Sequence, residues 1–357
     1  MRAFNFSAGP AILPEEVLKE AAAELVDYKG TGMSIMEMSH RGKEYSAVHD
    51  ECVANIKELL NIPEGYSVLF MTGGASSQFA LIPMNLLGEG QTADYTNSGA
   101  WAKKAIQEAQ MLGTVNVAAD CGKEIPTRVP TTDELNLTDG AAYLHITSNE
   151  TISGAQWKEF PEHDCLIADM SSDILSRPLD VSKFGLIYAG AQKNLGPAGI
   201  TLVIIKDELA EKCPETVPTI MRYKTHIESN SLYNTVPTFP VYMLCLVTRW
   251  LKAKGGLEGI EKINEDKAAK LYAAIDESDF YKGTAVPEFR SNMNITWRLP
   301  TEELEAEFIA EAAKANLKTL KGHRSVGGIR ASIYNAFPAA GVDALISFMK
   351  EFEAKHG

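Results

Sequence analysis

A lysine that follows an apolar run is the first residue of this sequence with a recognisable chemical use. The run Ile187–Gly190 is rich in small residues, which predicts a strand inside a core. It stops at Gln192 and Lys193, and the glycines and proline of 196–199 predict a turn there. Ligands of open α/β sheets bind beyond the carboxyl ends of the strands, so an amine held at that edge can attack a carbonyl and form a Schiff base.

The alternative for Lys193 is an ordinary surface lysine, because lysines are mostly exposed. Lys206 is a useful comparison, since it also ends an apolar run. Only the charged residues Asp207 and Glu208 follow it, without a glycine-lined turn. The segment alone therefore leaves both interpretations of Lys193 open.

An aspartate upstream favours the chemical interpretation. The short apolar run Cys165–Ala168 ends at Asp169, 24 residues before Lys193. That spacing allows one crossover between neighbouring parallel strands, which would place both side chains at the same sheet edge. A partly buried carboxylate needs a cationic partner, and the protonated ring nitrogen of pyridoxal phosphate is one. The alternative for Asp169 is a helix N-cap or a loop ion pair.

A glycine-containing turn is a candidate anion site. The predicted strand 67–71 is followed by Thr72–Gln78, which leads into a helix to about Leu87. Helix N-termini present free N–H groups, and glycines let the backbone approach an anion. The turn lacks the Gly-Lys-Ser/Thr of a P-loop and the third glycine of a dinucleotide fingerprint, so a simple helix cap is the alternative.

Alternating strand and helix patterns must position these groups. Strands are predicted at 92–96, 114–118 and 141–147, and helices at 14–28, 43–60 and 101–111. Two further helices meet at Gly255–Gly256, where we place a domain boundary. The predicted domains are a large one, residues 15–257, and a small one, residues 1–14 with 258–357.

Composition argues against several classes of partner. The formal net charge over 357 residues is −13, so neither nucleic acid nor an anionic membrane surface is expected as the main partner. The five cysteines form no CxxC pair, which predicts reduced thiols, a cytoplasmic location and no metal site. No signal pattern and no membrane-spanning run are visible.

Six segments resemble those of one enzyme family, in the family's order and over nearly the whole chain. They are Phe4–Pro10, Ser39–Gly42, Asn149–Ile152, Ala189–Gly199, Tyr233–Pro237 and Gly322–Gly328. They resemble the phosphoserine aminotransferase family of class V, fold-type I pyridoxal-phosphate enzymes. The resemblance implies an α/β fold with a large, mostly parallel sheet flanked by helices, a smaller C-terminal α/β domain, and a homodimer with active sites at the interface.

The resemblance also implies a set of contacts to pyridoxal 5′-phosphate. Lys193 and Asp169 are the implied catalytic residues, and Trp101 would stack on the cofactor ring. Taken singly, Trp101 is as well explained by packing. Some relatives carry arginine where Ser76 stands, which leaves a contact from this side chain to the substrate phosphate open. The implied cofactor-binding residues are Ala75, Ser76, Trp101, Thr151, Asp169, Gln192, Lys193, Asn234 and Thr235.

Cationic loop residues in a strongly acidic chain are the implied substrate site, because they would focus an anionic substrate into one cleft. Arg330 would bind the α-carboxylate common to both substrates. Taken singly, each of these cations is as well explained as a surface charge or an ion pair. The implied substrate-binding residues are Ser7, His40, Arg41, His323, Arg324 and Arg330.

The activity implied by the resemblance is transfer of the amino group of L-glutamate to 3-phosphohydroxypyruvate. Whether 4-phosphohydroxythreonine, from pyridoxine biosynthesis, is a second substrate stays open. Two alternatives remain at this point. One is another pyridoxal-phosphate reaction on the same fold, such as alanine–glyoxylate transfer or cysteine desulfuration. The other is a phosphometabolite-binding module in which Lys193 is only an anion contact.

Overall fold

The computed structural model describes residues 2–122 and 126–357. The strands are β1 (Phe4–Asn5), β2 (Tyr66–Met71), β3 (Thr92–Asn97), β4 (Thr114–Asp120), β5 (Leu144–Thr147), β6 (Asn149–Glu150), β7 (Ala155–Gln156), β8 (Leu166–Asp169), β9 (Phe184–Gly190), β10 (Thr201–Lys206), β11 (Lys282–Gly283), β12 (Asn294–Arg298), β13 (Leu317–Lys318) and β14 (Ile329–Ser332). The helices are α1 (Glu15–Glu24), α2 (Lys43–Leu59), α3 (Gly74–Leu86), α4 (Ala100–Gln110), α5 (Asp207–Ala210), α6 (Tyr223–Glu228), α7 (Thr238–Ala253), α8 (Gly256–Asp276), α9 (Glu302–Lys314) and α10 (Ala339–His356).

A seven-stranded sheet in the order β2-β10-β9-β8-β5-β3-β4 is the frame of the molecule. Strands β9, β8, β5, β3 and β4 run parallel, whereas β10 is antiparallel to both of its neighbours. Strands β8 and β9 are adjacent, as the spacing of Asp169 and Lys193 predicts. The carboxyl ends of β5, β8 and β9 therefore meet at one edge.

Apolar side chains on the two sheet faces form two separate cores. Because successive side chains of a strand point to opposite faces, Val68 and Phe70 lie in one core and Leu69 and Met71 in the other. The first core contains α2 and α7, and the second contains α3 and α4. Both faces of the sheet are covered by helices, which confirms the predicted α/β class. Because the faces are covered, a binding site can open only at the ends of the strands.

The C-terminal part of the chain has its own core. Strands β11, β12 and β14 form an antiparallel sheet, and α8, α9 and α10 contribute to the same core. Strand β1 pairs in parallel with β13, with Phe4 opposite Leu317, and Phe6 is buried in this core. The N-terminal arm thus packs with C-terminal residues, while the domain limits given above stay a prediction.

Two predicted elements are shorter than expected. The helix predicted to reach Tyr28 ends at Glu24, and a separate 3₁₀ turn follows at Tyr28–Gly30, where Lys29 has a φ of 50°. The strand predicted from residue 141 begins at Leu144, because Gly140 makes a turn with a φ of 71°. Among the described helices, none combines the length and the apolar composition needed to cross a bilayer.

Candidate active site

A cavity of about 420 Å³ lies at the carboxyl edge of the sheet. Its volume is within the range of about 300–1,000 Å³ that small-molecule sites occupy. It brings together residues from the N-terminal arm, the start of α3, the first turn of α4, the ends of β6 and β8, the turn after β9, and the C-terminal part of the chain. The lining residues are Ala8, Gly9, Gly73, Gly74, Ala75, Ser76, Trp101, Thr151, Ile152, Asp169, Ser171, Gln192, Lys193, His323 and Arg330.

Lys193 stands in the turn that follows β9. Its Nζ donates a hydrogen bond of 2.6 Å to Oγ1 of Thr151. The turn is tied to the N-terminal arm, since the backbone N–H of Ala11 donates to the carbonyl of Gln192 at 2.8 Å. Burial lowers the pKa of Lys193, although the negative charges of Asp169 and Glu150 oppose this effect. The amine is therefore held in place and is easier to deprotonate than a surface lysine.

Asp169 ends β8, directly between Thr147 of β5 and Tyr188 of β9. Its side chain is buried, and Oδ1 accepts hydrogen bonds from the backbone N–H of Ser171 at 2.9 Å and from its hydroxyl at 2.6 Å. Burial raises the pKa of Asp169, while the charge of Lys193 and the Ser171 bonds oppose that rise. A cation bound in the cavity would favour the ionised carboxylate.

Trp101, in the first turn of α4, places a flat aromatic surface at the same cavity. The Nζ of Lys193 lies 5.2 Å from the centroid of the Trp101 ring. The indole Nε1 is buried and has no hydrogen-bond partner among the described residues. An aromatic ring attached to Lys193 would therefore meet the indole, which agrees with the predicted stacking role.

The start of α3 provides an anion-binding turn. Gly73 and Gly74 have φ values of 92° and 67°, a conformation that favours glycine. A Cβ on Gly73 would stand 1.9 Å from Oγ of Ser77. Helix α3 is 13 residues long, and Ala75 and Ser76 in its first turn line the cavity. Its free N–H groups and partial positive charge are suited to a phosphate.

Two cations line the cavity from the C-terminal part of the chain. Arg330 is on β14, and its Nη1 donates to the carbonyl of Thr151 at 3.3 Å. His323 shares a hydrogen bond of 2.7 Å with Oγ of Ser325. Burial lowers the pKa of His323, as do the positive charges of Arg330 and Arg324. A bound anion would therefore favour the protonated imidazole.

Six predicted site residues do not line this cavity. Ser7 is adjacent to it, since Ala8 and Gly9 are lining residues. His40 is buried, and its Nε2 has no partner among the described residues. The others, Arg41, Arg324, Asn234 and Thr235, are exposed.

Several residues that line the cavity or lie beside it escaped the sequence analysis. Ser171 fixes the Asp169 carboxylate, and its position two residues after that aspartate is the only sequence signal for it. Gly9 packs on the lysine, because a Cβ there would stand 3.3 Å from Cγ of Lys193. Glu150 lies beside Thr151, fully buried, although nothing in its sequence context indicates burial.

The residues present fit pyridoxal phosphate. Lys193 offers an amine for the aldehyde, and Asp169 offers a carboxylate for the ring nitrogen. Trp101 offers a surface for the ring, and the first turn of α3 offers N–H groups for the phosphate. The donor set thus matches each functional part of this cofactor.

Sequence comparison gives a consistent result. The family model for class-V aminotransferases matches residues 3–345. Phosphoserine aminotransferase from Niallia circulans is 55% identical over 359 residues, covering 100% of this chain and 99% of the relative. Phosphoserine aminotransferase from Herpetosiphon aurantiacus is 54% identical and covers both chains in full.

Solved structures agree with the sequence comparison. The phosphoserine aminotransferase of Bacillus circulans subsp. alkalophilus superposes with a TM-score of 0.97 at 55% identity, over 100% of this chain and 99% of that one. The pyridoxal-phosphate-bound phosphoserine aminotransferase of Trichomonas vaginalis gives 0.95 at 42% identity, over 98% of this chain and 100% of that one. An alanine–glyoxylate aminotransferase from Nostoc sp. gives 0.79 at 16% identity, which shows a shared fold alone.

Proposed function

Because the chain belongs to the class-V aminotransferase family and catalyses the phosphoserine aminotransferase reaction of serine biosynthesis, we propose that Lys193 and Asp169 are its catalytic residues. The enzyme uses pyridoxal phosphate to move the amino group of L-glutamate to 3-phosphohydroxypyruvate. The products are 2-oxoglutarate and O-phospho-L-serine. One cavity must therefore accept two different anions in turn.

One juxtaposition carries this proposal. The Lys193 amine is bonded to Thr151, lies 5.2 Å from the Trp101 ring, and shares its cavity with the buried carboxyl of Asp169. A merely structural lysine at a strand end needs neither an aromatic surface nor a buried acid beside it.

Each residue has a task that its surroundings explain. When bound, pyridoxal phosphate supplies an aldehyde for the lysine and a ring that takes up the electron pair left at the substrate Cα. Lys193 moves the Cα proton, and burial assists it by lowering the pKa of the amine. Thr151 orients that amine through its hydroxyl. Asp169, oriented by Ser171, keeps a proton on the ring nitrogen.

The cationic side of the cavity binds the substrates. Arg330 has the planar, two-pronged donor geometry that suits the α-carboxylate of either substrate. His323, beside it, would gain its proton when an anion is bound. Ser76 offers a hydroxyl rather than the arginine found in some relatives, so in this chain the phosphate of the substrate must rely on other cations.

A second copy of the chain would supply polar groups to the cavity. Asn234 is exposed, and it lines a small cavity together with Gly73, Ile220 and Met221. Ile220 and Met221 are 39% and 41% exposed, and Tyr233 is 46% exposed. Large exposed apolar side chains beside unused polar ones are typical of an interface. A homodimer that buries this surface would bring Asn234 and Thr235 to the partner's cofactor phosphate.

Mixing two inactive variants tests the homodimer. Lys193→Ala removes the amine from one cavity, and Asn234→Ala removes the group donated to the other. If sites are shared, a mixed dimer has one cavity with both residues intact. Activity after co-refolding should then exceed the sum of the two parents. Equal activity before and after mixing would place each site within a single chain.

Reduction with borohydride tests the role of Lys193. Mass spectrometry of the reduced holoenzyme should place a pyridoxyl group on this residue. Lys193→Ala should lose the adduct, the visible absorbance band and turnover together. Near-normal transamination by that variant would falsify the assignment. Lys206→Ala is the matched control, because Lys206 is the last residue of the apolar strand β10 but lies outside the cavity.

Single-turnover spectra distinguish this reaction from other pyridoxal-phosphate chemistries. Glutamate should discharge the visible band, and 3-phosphohydroxypyruvate should restore it. Failure of 3-phosphohydroxypyruvate to restore it, together with restoration by glyoxylate, would favour alanine–glyoxylate transfer. A protein without a visible band and without a reducible adduct would be a binding module.

We further propose a cytoplasmic site of action. The cysteines at 52, 121, 165, 213 and 245 are all free in the described structure. Free thiols persist in a reducing compartment. Fractionation of cells should therefore recover the enzyme with cytoplasmic markers.

A further inference from the structure

Glu150 is a buried acid for which the reaction has no assigned use. It ends β6, immediately before Thr151, and its side chain is fully buried. Its Oε1 accepts a hydrogen bond of 2.9 Å from the hydroxyl of Ser98. Its Oε2 is buried and has no hydrogen-bond partner among the described residues.

The carboxylate packs directly on the turn that starts α4. Gly99 is the residue before the helix, and a Cβ there would stand 2.5 Å from Oε2 of Glu150. No larger residue fits while the carboxylate stays in place. The same turn carries Trp101, two residues further on. Glu150 therefore fixes the entry of the helix that presents the indole to the cavity.

Charged groups face Glu150 from three elements. Burial raises the pKa of Glu150 to about 7, and the charge of Asp169 on β8 adds to this rise. Lys193, in the turn after β9, and the Ala102 N–H of α4 act in the opposite direction. The influence is mutual, because the negative charge of Glu150 raises the pKa of Lys193. Lys103 lines a neighbouring cavity with Glu150.

We propose that Glu150 is a positioning residue for the amino transfer, which acts on Lys193 through its charge and on Trp101 through the Ser98–Gly99 turn. The proposal rests on the proposed role of Lys193. The lysine must be basic enough to take the Cα proton. Glu150, which precedes the Thr151 that bonds the amine, adds its negative charge to those of Asp169 and Asp173, whereas Arg330 acts in the opposite direction. Glu150 also accepts a hydrogen bond from Ser98, in the turn that leads to Trp101. The position of the indole therefore depends on Glu150 as well.

A pH titration of the holoenzyme's visible absorbance band tests the electrostatic part. Glu150→Gln keeps the shape of the side chain and removes the negative charge, which a carboxyl with a pKa of about 7 carries at higher pH. The protonated form of the lysine nitrogen is then less favoured, so the midpoint of the absorbance titration should fall by about one pH unit. An unchanged or higher midpoint would overturn the proposal. Mass spectrometry of the borohydride-reduced wild type separates the two questions, since a missing adduct on Lys193 would refute the proposed role of Lys193 instead.

Asp94→Asn is the matched control for loss of a buried carboxylate. Asp94 is fully buried on β3, three residues before the end of the strand, and is bonded to Thr138 and Asn116. Its removal should lower the thermal midpoint of unfolding without moving the absorbance midpoint. A shift equal to that of Glu150→Gln would show a general effect of destabilisation and would overturn the proposal.

Ser98→Ala tests the proposed action of Glu150 on Trp101 through the Ser98–Gly99 turn. The substitution removes only a hydroxyl. The turn should loosen, and the dissociation constant of pyridoxal phosphate should rise about threefold or more, measured by spectral titration of the apoenzyme. An unchanged constant would show that Glu150 does not act on Trp101 through this turn, and would overturn this part of the proposal. This variant also keeps the proposal testable if Glu150→Gln does not fold.

Discussion

Lys267 offers a sharp test of how the C-terminal part of the chain is held. It lies on α8 with 1% of its surface exposed. Its Nζ donates to three carbonyls, those of Ile333 at 2.9 Å, Tyr334 at 2.7 Å and Phe337 at 3.1 Å. Ile333 and Tyr334 directly follow β14, which carries Arg330. Burial lowers the pKa of Lys267 to about 7.

The sign of the pH effect follows from the two protonation equilibria. The unfolded chain keeps the lysine proton up to a pKa of 10.5, whereas the folded chain releases it near pH 7. Between these values the unfolded state binds more protons, so the free energy of unfolding rises with pH by about 1.4 kcal/mol per unit. Below pH 7 both states are protonated, and the full penalty of about 5 kcal/mol is present and constant.

Replacing Lys267 by methionine removes this titration. Urea unfolding of the wild type and of Lys267→Met, both loaded with cofactor, should be measured from about pH 6 to about pH 9.5. The difference between the two curves isolates Lys267, because the other titrating groups are common to both. The stability of the wild type relative to the variant should rise by about 1.4 kcal/mol per pH unit above pH 7 and should be flat below it.

One outcome would contradict the predicted pKa of Lys267, and a second variant serves as the control. Parallel stability curves would show that Lys267 has the same pKa in the folded and unfolded chain, and would refute the argument from burial. Lys270→Met is the control, because Lys270 is on the same helix with an exposed side chain paired to Asp266. Its curve should show no comparable rise between about pH 7 and about pH 9.5.

Three further substitutions test the proposed site. Arg330→Gln should raise the KM of both substrates about 10- to 100-fold in steady-state kinetics, because it removes a charged donor from a carboxylate; an effect on one substrate only would contradict a shared α-carboxylate site. Asp169→Asn should leave the pyridoxyl adduct on Lys193 but slow the single-turnover reaction with glutamate at least about 100-fold, since no carboxylate then keeps the ring nitrogen protonated. Trp101→Ala should weaken cofactor binding about tenfold in equilibrium titration, given about 0.5–1.5 kcal/mol for an aromatic pair beyond its buried area.

The sequence predicted which residues lie at the sheet edge better than it predicted which side chains are buried around them. Lys193 and Asp169 could be paired because buried parallel strands read as continuous apolar runs, and their polar exits mark one edge. The structure places both residues, with Thr151 and Trp101, around one cavity. Their chemical roles stay predictions until the adduct and the variants are measured.

The other features of the site could not be predicted from the sequence, for two physical reasons. Burial is a property of the folded molecule, so the sequence predicted no role for Glu150 or Lys267, which are both buried. Groups that act in a second copy of the chain lie on the surface of the first. The proposed homodimer would account for the exposure of Asn234 and Thr235 in the single chain.

The distribution of charge in the cavity explains how one site can serve two substrates. Asp169 ends β8 of the large sheet and Glu150 ends β6 of the two-stranded β6–β7 sheet, and the charges of both carboxyls act on the lysine. Arg330 and His323, in contrast, come from the C-terminal part of the chain. In the proposed mechanism the acids act on the amine and the cofactor, and these requirements are the same in both half-reactions. The proposed task of the cations is to bind the substrate, which changes between the half-reactions. Because the carboxyls and the cations lie on different parts of the fold, the substrate-binding side can adapt while the proton-transfer side stays fixed. Variants of Arg330 should therefore alter KM, and variants of Asp169 should alter kcat.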